Sequence, residues 1–187
     1  MTVYVALLRA INVGSSGKLP MKRLAALCTD LGLTKVRTYI QSGNVVFESR
    51  KGEAALRKAL EARLTEALGR PADVTVRTAA EMAAILDGNP FPKAPPAKVG
   101  VAFLNRRLPE TAIREMVIPG KEEVVLGARE AYIHFPDGMG RSKLKLPKVW
   151  RPVTVRNVNT VRKLAAMAAG TEVVPGRLER LPKTRLA

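Results

Sequence analysis

One cysteine, one histidine and eight aromatic residues are all that 187 positions hold of these types. A single cysteine excludes an intrachain disulfide, and with a single histidine it cannot build the usual ligand cage of zinc or another transition metal. No metal and no cofactor are expected. Cys28 stands with Leu24, Leu27 and Leu31 at helical spacing and reads as a buried structural thiol. His134, in the apolar run Tyr132 to Phe135, is expected mid-strand. No Ser-His-carboxylate set can then be assembled, no acidic pair stands at motif spacing, and no catalytic residue is assigned. The chain has no run of eighteen apolar residues and no basic N-terminal segment leading to an apolar stretch and a cleavage site. Neither a membrane span nor a signal peptide is expected, which leaves the cytoplasm as the default location.

A second absence is local. Met1 to Thr29 and Gly138 to Gly170 contain no aspartate or glutamate, yet together hold twelve lysines and arginines. The segment Asp30 to Asp137 has 16 basic and 14 acidic residues, so it supplies only +2 of a formal charge of +16. The acid-free stretches are also the richest in asparagine, glycine, serine and arginine: Arg9-Ala10-Ile11-Asn12-Val13-Gly14-Ser15-Ser16-Gly17 and Arg156-Asn157-Val158-Asn159-Thr160. Brought together in space, they would make an anion site. A biased genomic composition is the plainer source of the same charge.

Hydrophobic periodicity orders the first half as strand, helix, strand, strand, helix, strand. Val3 to Leu8 is continuously apolar, as a strand buried on both faces is. Pro20 opens a helix whose face is Leu24, Leu27, Cys28 and Leu31, with Gly32 as its C-cap. Val36 to Ile40 and Asn44 to Phe47 form a hairpin across Gly43. Glu53 to Leu68 carries leucine at 56, 60, 64 and 68, and Val74 and Val76 begin a fourth strand. This is the split βαβ order of a ferredoxin-like fold. Thr78 to Glu81 has capping-box spacing, and the proline-rich stretch after it reads as a linker. Beyond it come a strand at Val99 to Leu104, a helix at Pro109 to Val117, a hairpin of Glu122 to Leu126 with Ala131 to Phe135, and a helix at Asn157 to Ala169. The expected fold class is α+β, a ferredoxin-like N-terminal half followed by a second, partly similar α+β half. The expected units are 1–88, a linker 89–97, a second unit 98–170 and a basic tail 171–187. The repeated order is not accompanied by evident self-similarity of sequence.

Three constellations carry candidate chemistry. The loop after the first strand offers Asn12, Gly14 and Lys18 ahead of a helix N-terminus, where backbone amides suit an anion; it is neither of the standard glycine-rich phosphate motifs, and a plain strand-to-helix connection also fits. Ser42 and Asn44 belong to a hairpin turn, as their turn propensity explains, or present polar groups beside that loop. Asn157 is a natural N-cap. Capping does not explain Arg156 and Asn159, and Arg141, Ser142, Lys143 and Lys145 add further cations upstream. An RNA-recognition module is excluded because the basic-glycine-aromatic signature is absent from the strand Asn44 to Phe47.

Ala6 to Gly14, Thr38 to Phe47, Asn89-Pro90-Phe91 and Thr154 to Val161 resemble, in order, successive blocks of the bacterial domain-of-unknown-function (DUF) family 1697. The resemblance runs to about Leu164 and implies a module of two related α+β subdomains with no established activity, cofactor or substrate. The chain departs where the family usually has glycine at Ala10 and Ser15 and tryptophan at Val158; a methyl at Ala10 narrows backbone approach to a ligand, and Val158 removes a stacking surface.

The leading expectation is a non-catalytic module that binds a phosphate-bearing partner such as nucleic acid, or a phosphorylated small molecule, through a basic face including Arg9, Lys18, Arg141, Lys143, Arg156 and Lys163. The alternative is an enzyme or small-molecule binder with a polar cleft between the halves, lined by Asn12, Ser42, Asn44, Arg156 and Asn159. A third is an interaction scaffold whose charge serves solubility.

Overall fold

Alternating apolar positions in the strands and leucine stripes in the helices assemble here into stacked layers. The structure is a computed structural model and describes residues 1–9, 11, 12, 19–114 and 116–171. The first half runs β1 (Thr2–Leu8), α1 (Met21–Asp30), β2 (Thr34–Tyr39), β3 (Asn44–Ser49), α2 (Glu53–Leu68), β4 (Val74–Thr78) and α3 (Ala79–Asp87). The second runs β5 (Val99–Leu104), β6 (Glu123–Leu126), β7 (Glu130–His134), β8 (Val153–Asn157) and α4 (Val158–Ala169). Each half forms one antiparallel sheet of four strands, in the orders β2-β3-β1-β4 and β6-β7-β5-β8. The first order is that of the ferredoxin-like fold, as the sequence pattern requires.

β1 is buried on both faces because it lies between two layers. Tyr4, Ala6 and Leu8 point to α1 and α2, where Leu24, Leu27, Leu56, Leu60 and Leu64 meet them. Each of these leucines contributes about 2 kcal/mol through burial. Val5 and Leu7 point the other way, to α3 and α4. Those two helices pack on each other between the sheets, and Val99, Val101 and Phe103 of β5 close the same cluster from the second half. The outer face of the second sheet is covered by Leu108, Ala112, Leu144, Leu146 and Trp150 from two long connections instead of by helices.

Two sequence expectations change. The helix expected at Pro109 to Val117 is a single 3₁₀ turn, Glu110–Ile113. Thr111, Ile113, Val117 and Ile118 are β-branched and Pro119 follows, so the segment ends extended and Val117 bridges to Lys145. An unanticipated strand, β8, completes the second sheet and makes the repeated order β5-β6-β7-β8-α4 parallel to β1-β2-β3-β4-α3. Its residues show the self-similarity that the helical and apolar patterns conceal. Val74-Thr75-Val76-Arg77 in β4 recurs as Val153-Thr154-Val155-Arg156 in β8, each followed by a helix N-cap, Thr78 or Asn157.

Candidate functional site

Arg77 and Arg156 leave equivalent strands and cross to the opposite half. Arg156 donates from Nη2 to the Leu8 carbonyl at 2.7 Å and the Ser42 carbonyl at 2.9 Å, and from Nε to Asn44 Oδ1 at 2.7 Å. Its Nη1 holds Thr154 Oγ1 at 2.7 Å and the Val155 carbonyl at 3.0 Å. Arg77 reciprocates, donating to the carbonyl of Leu104, the last residue of β5 as Leu8 is of β1, and to the Arg129 carbonyl at 2.9 Å. The halves thus hold each other by exchanged arginines. The two acid-free stretches meet at this point, since Arg156 belongs to one and Leu8 to the other.

The two clasps differ in charge. Around Arg77, Arg129 makes a bidentate pair with Glu53 at 2.7 and 2.9 Å and also donates to Glu81. Glu53 lies 3.8 Å from Arg77, and Glu130, buried at the start of β7, adds a third carboxylate. Burial pushes the Arg77 pKa down against these acids, while the hydrogen bonds that Arg129 donates to Glu53 and Glu81 hold its own pKa well above the ordinary value. Around Arg156 every acceptor is neutral. Asn44, 0% exposed, occupies the place that Glu130 has in the other half, and Thr160 the place of Glu81. Desolvation pushes the Arg156 pKa down to about 10, with no carboxylate to oppose it. The helices follow the same division: the first turns of α2 and α3 carry Glu53 and Glu81, whereas those of α1 and α4 contain no acid.

The remaining expected residues divide between this end and elsewhere. Asn12 braces the start of its loop, donating to the Gln41 carbonyl at 2.7 Å and accepting from the Leu19 amide at 2.7 Å, so the approach to α1 is tied to the β2–β3 turn that Arg156 holds. Ser42 is exposed on that turn and accepts from Asn44 Nδ2 at 3.0 Å. Asn157 caps α4, accepting from the Thr160 amide at 2.9 Å, and Asn159 is exposed in its first turn. Arg9 pairs with Asp73 at 2.8 Å. Gly14, Lys18 and the tail from 172 lie outside the described residues. Arg141 and Lys143 are not part of this end: with Glu122, Asp137 and Ser142 they line a cavity of about 150 Å³, where the chain folds acids back onto the acid-free stretch.

Asn44 is too buried to line a cleft, and Arg156 has its donors committed to the protein. Grooves do lie between the halves, but with other linings. One of about 530 Å³ runs between β2, β3 and the C-terminal turn of α4, and one of about 360 Å³ between α3 and the β6–β7 hairpin. His134, the last residue of β7 and not a mid-strand position, faces Glu123 across the β6–β7 ladder at 3.2 Å and Phe91 at 5.5 Å between rings. Among the described residues no three metal-ligating side chains cluster, and no helix is long and apolar enough to cross a membrane. Sequence reasoning missed Arg77, Glu53, Glu81 and Arg129; the repeated Val-Thr-Val-Arg was the signal that pointed to the first.

Residues 1–132 match the family described as "Protein of unknown function (DUF1697)". Among solved structures the chain is similar to the conserved bacterial protein SP0830 from Streptococcus pneumoniae, with a TM-score of 0.75 and 24% identity over 90% of this chain and 99% of that one. This likeness is one of fold. No curated protein matches.

Proposed function

The chain belongs to the DUF1697 family, and from that premise we propose that it is a binding module for a phosphate-bearing partner, taken up where the two acid-free stretches of the sequence meet. The observation that carries the reading is the asymmetry of the two arginine clasps. Arg77 is buried among three glutamates, and Arg156 is buried among neutral groups only. A buried cation without a counter-charge leaves a positive potential that an external anion compensates. The exposed Ser42, the exposed Asn159 and the acid-free first turns of α1 and α4 stand around that potential. Arg156 acts here as a fixed charge and not as a direct ligand, because its N–H groups are already donated.

Nucleic acid is the probe of choice because phosphate is its repeating unit. Labelled duplex and single-stranded DNA and RNA are titrated by fluorescence anisotropy over a salt series, together with inorganic phosphate by calorimetry. Removing Arg156 would unlock the halves, so the informative variant is Asn159→Glu. It places an acid in the first turn of α4, where the helix dipole favours it and folding is unharmed. The expected result is binding by the intact chain and by a chain ending at Thr171, and its loss in Asn159→Glu with an unchanged melting temperature. Binding confined to the tail, or unaffected by Asn159→Glu, overturns the reading.

A further inference from the structure

The Arg156 clasp is one end of a longer basic strip. Leu8, held by Arg156, is followed by Arg9, whose amide donates to the Asp73 carbonyl at 3.0 Å and whose guanidinium neutralises the Asp73 carboxylate. Asn105 donates to the neighbouring Val74 carbonyl at 3.2 Å, which fixes the loop after β5 against the start of β4. Arg106, next in that loop, donates to the Val149 carbonyl and so joins it to the turn Lys148–Trp150. A continuous line of contacts therefore leads from Arg156 through Arg9 and Arg106 to Lys148 and Arg151. The segments 105–108 and 146–152 contain no acid. Arg107, Lys148 and Arg151 are exposed, and among the described residues their side chains make no ion pair and no hydrogen bond.

The aromatic residues decide what kind of polyanion fits. A single strand is gripped by stacking its bases on exposed rings, each stacked base contributing about 1–3 kcal/mol. All eight aromatics of the chain lie in described segments. Tyr4, Phe47, Phe103, Tyr132, Phe135 and Trp150 are buried. Tyr39 and Phe91 are half-buried against the central cluster, the latter also covered by His134. The surface has cations for phosphates and no platform for bases. A duplex, whose bases are already stacked on each other, presents the phosphates alone.

We infer that the strip formed by Arg106, Arg107, Lys148 and Arg151 is a docking surface for double-stranded nucleic acid, read through its phosphate backbone and without base stacking. The inference rests on the phosphate-binding reading above and names the partner class and a second part of its surface. Duplex DNA and duplex RNA share this chemistry, and separate titrations with each identify the source.

The test is anisotropy with the full chain and a duplex of about 20 base pairs, over a salt series. It compares the wild type with a triple variant, Arg107→Gln, Lys148→Gln and Arg151→Gln. None of the three side chains supports the fold through a hydrogen bond or ion pair, so the melting temperature is expected to be unchanged. Duplex is expected to bind more tightly than a single strand of equal length, and an abasic single strand as well as a normal one. The triple variant is expected to lower the slope of log K against log salt by about 3, at roughly 0.9 per phosphate contact. An unchanged slope in the triple variant, with loss in Asn159→Glu retained, overturns this inference alone. A single strand that binds more tightly than duplex and weakens when abasic also overturns it. Absence of binding to every nucleic acid and to inorganic phosphate overturns the underlying reading with it.

Discussion

Arg156→Met removes five well-formed hydrogen bonds, three of them to the opposite half, and the loss can be worked from the contacts. The acceptors are Leu8 O, Ser42 O, Asn44 Oδ1, Thr154 Oγ1 and Val155 O, all within 2.7–3.0 Å. At about 1.5 kcal/mol for each bond from a charged donor, the low end for such bonds, they sum to roughly 7 kcal/mol. Against this stands the burial of a charge without a counter-ion, which pushes the pKa down from its ordinary value to about 10. That displacement corresponds to about 3 kcal/mol of desolvation that methionine does not suffer. The net expected loss is about 4 kcal/mol, a large part of the roughly 5–15 kcal/mol that holds an ordinary domain folded. Urea unfolding followed by circular dichroism reads it as a shift of the midpoint. Arg156→Lys is the more discriminating arm. Lysine keeps the charge and its burial penalty but has one point of donation in place of a planar fork. It is expected to be at least as destabilised as the methionine variant. A lysine variant close to wild type, or a methionine variant within about 1 kcal/mol of it, refutes the reasoning.

Gly43 sits at φ 82, and a Cβ there would lie 2.6 Å from Ile11 Cδ1, so Gly43→Ala is expected to lower stability by about 2–3 kcal/mol in the same urea assay; an unchanged midpoint would contradict the tight approach of the β2–β3 turn to Ile11. Burial works to raise the Glu81 pKa, but hydrogen bonds from the Thr78 amide, Arg129 and the Thr78 hydroxyl outweigh it and hold it below the usual carboxylate value. Its stabilisation is therefore present above the pKa of the unfolded chain and lost as pH falls through the lowered folded value. Glu81→Gln should reduce Tm at neutral pH and converge on wild type in acid, and parallel Tm curves would show that the carboxylate is not coupled to folding. Burial pushes the Cys28 thiol up to about 12, so a thiol reagent at about pH 8 should label the chain only on unfolding. Immediate labelling of the native protein would place Cys28 outside the core.

Local physics made most of the elements legible. The leucine stripe of α2, the N-caps Thr78 and Asn157, the positive-φ Gly43 and the twice-buried β1 each follow from neighbours a few residues apart, and the strand order of the first half follows from their sequence order. The helix expected at Pro109 to Val117 failed because short β-branched segments answer to partners far along the chain, here Lys145. β8 was missed although Val153-Thr154-Val155-Arg156 alternates as β4 does: so short a run, set between Pro152 and a helix N-cap, also reads as a loop leading into α4.

Charge was legible as a count and not as an arrangement. That residues 1–29 and 138–170 lack acids is a fact of sequence, and so is the single cysteine that excludes an intrachain disulfide. Where those charges go was decided by the fold. Topology carried Arg156 to Leu8, Ser42 and Asn44 and made it a clasp. Folding returned Glu122 and Asp137 to Arg141 and Lys143, and it left Arg107, Lys148 and Arg151 uncovered. An electrostatic potential depends on distance and burial, which sequence separation does not measure. Arg77 and Arg156 stand in the same four-residue motif, and only the tertiary structure surrounds one with glutamates and the other with neutral oxygens.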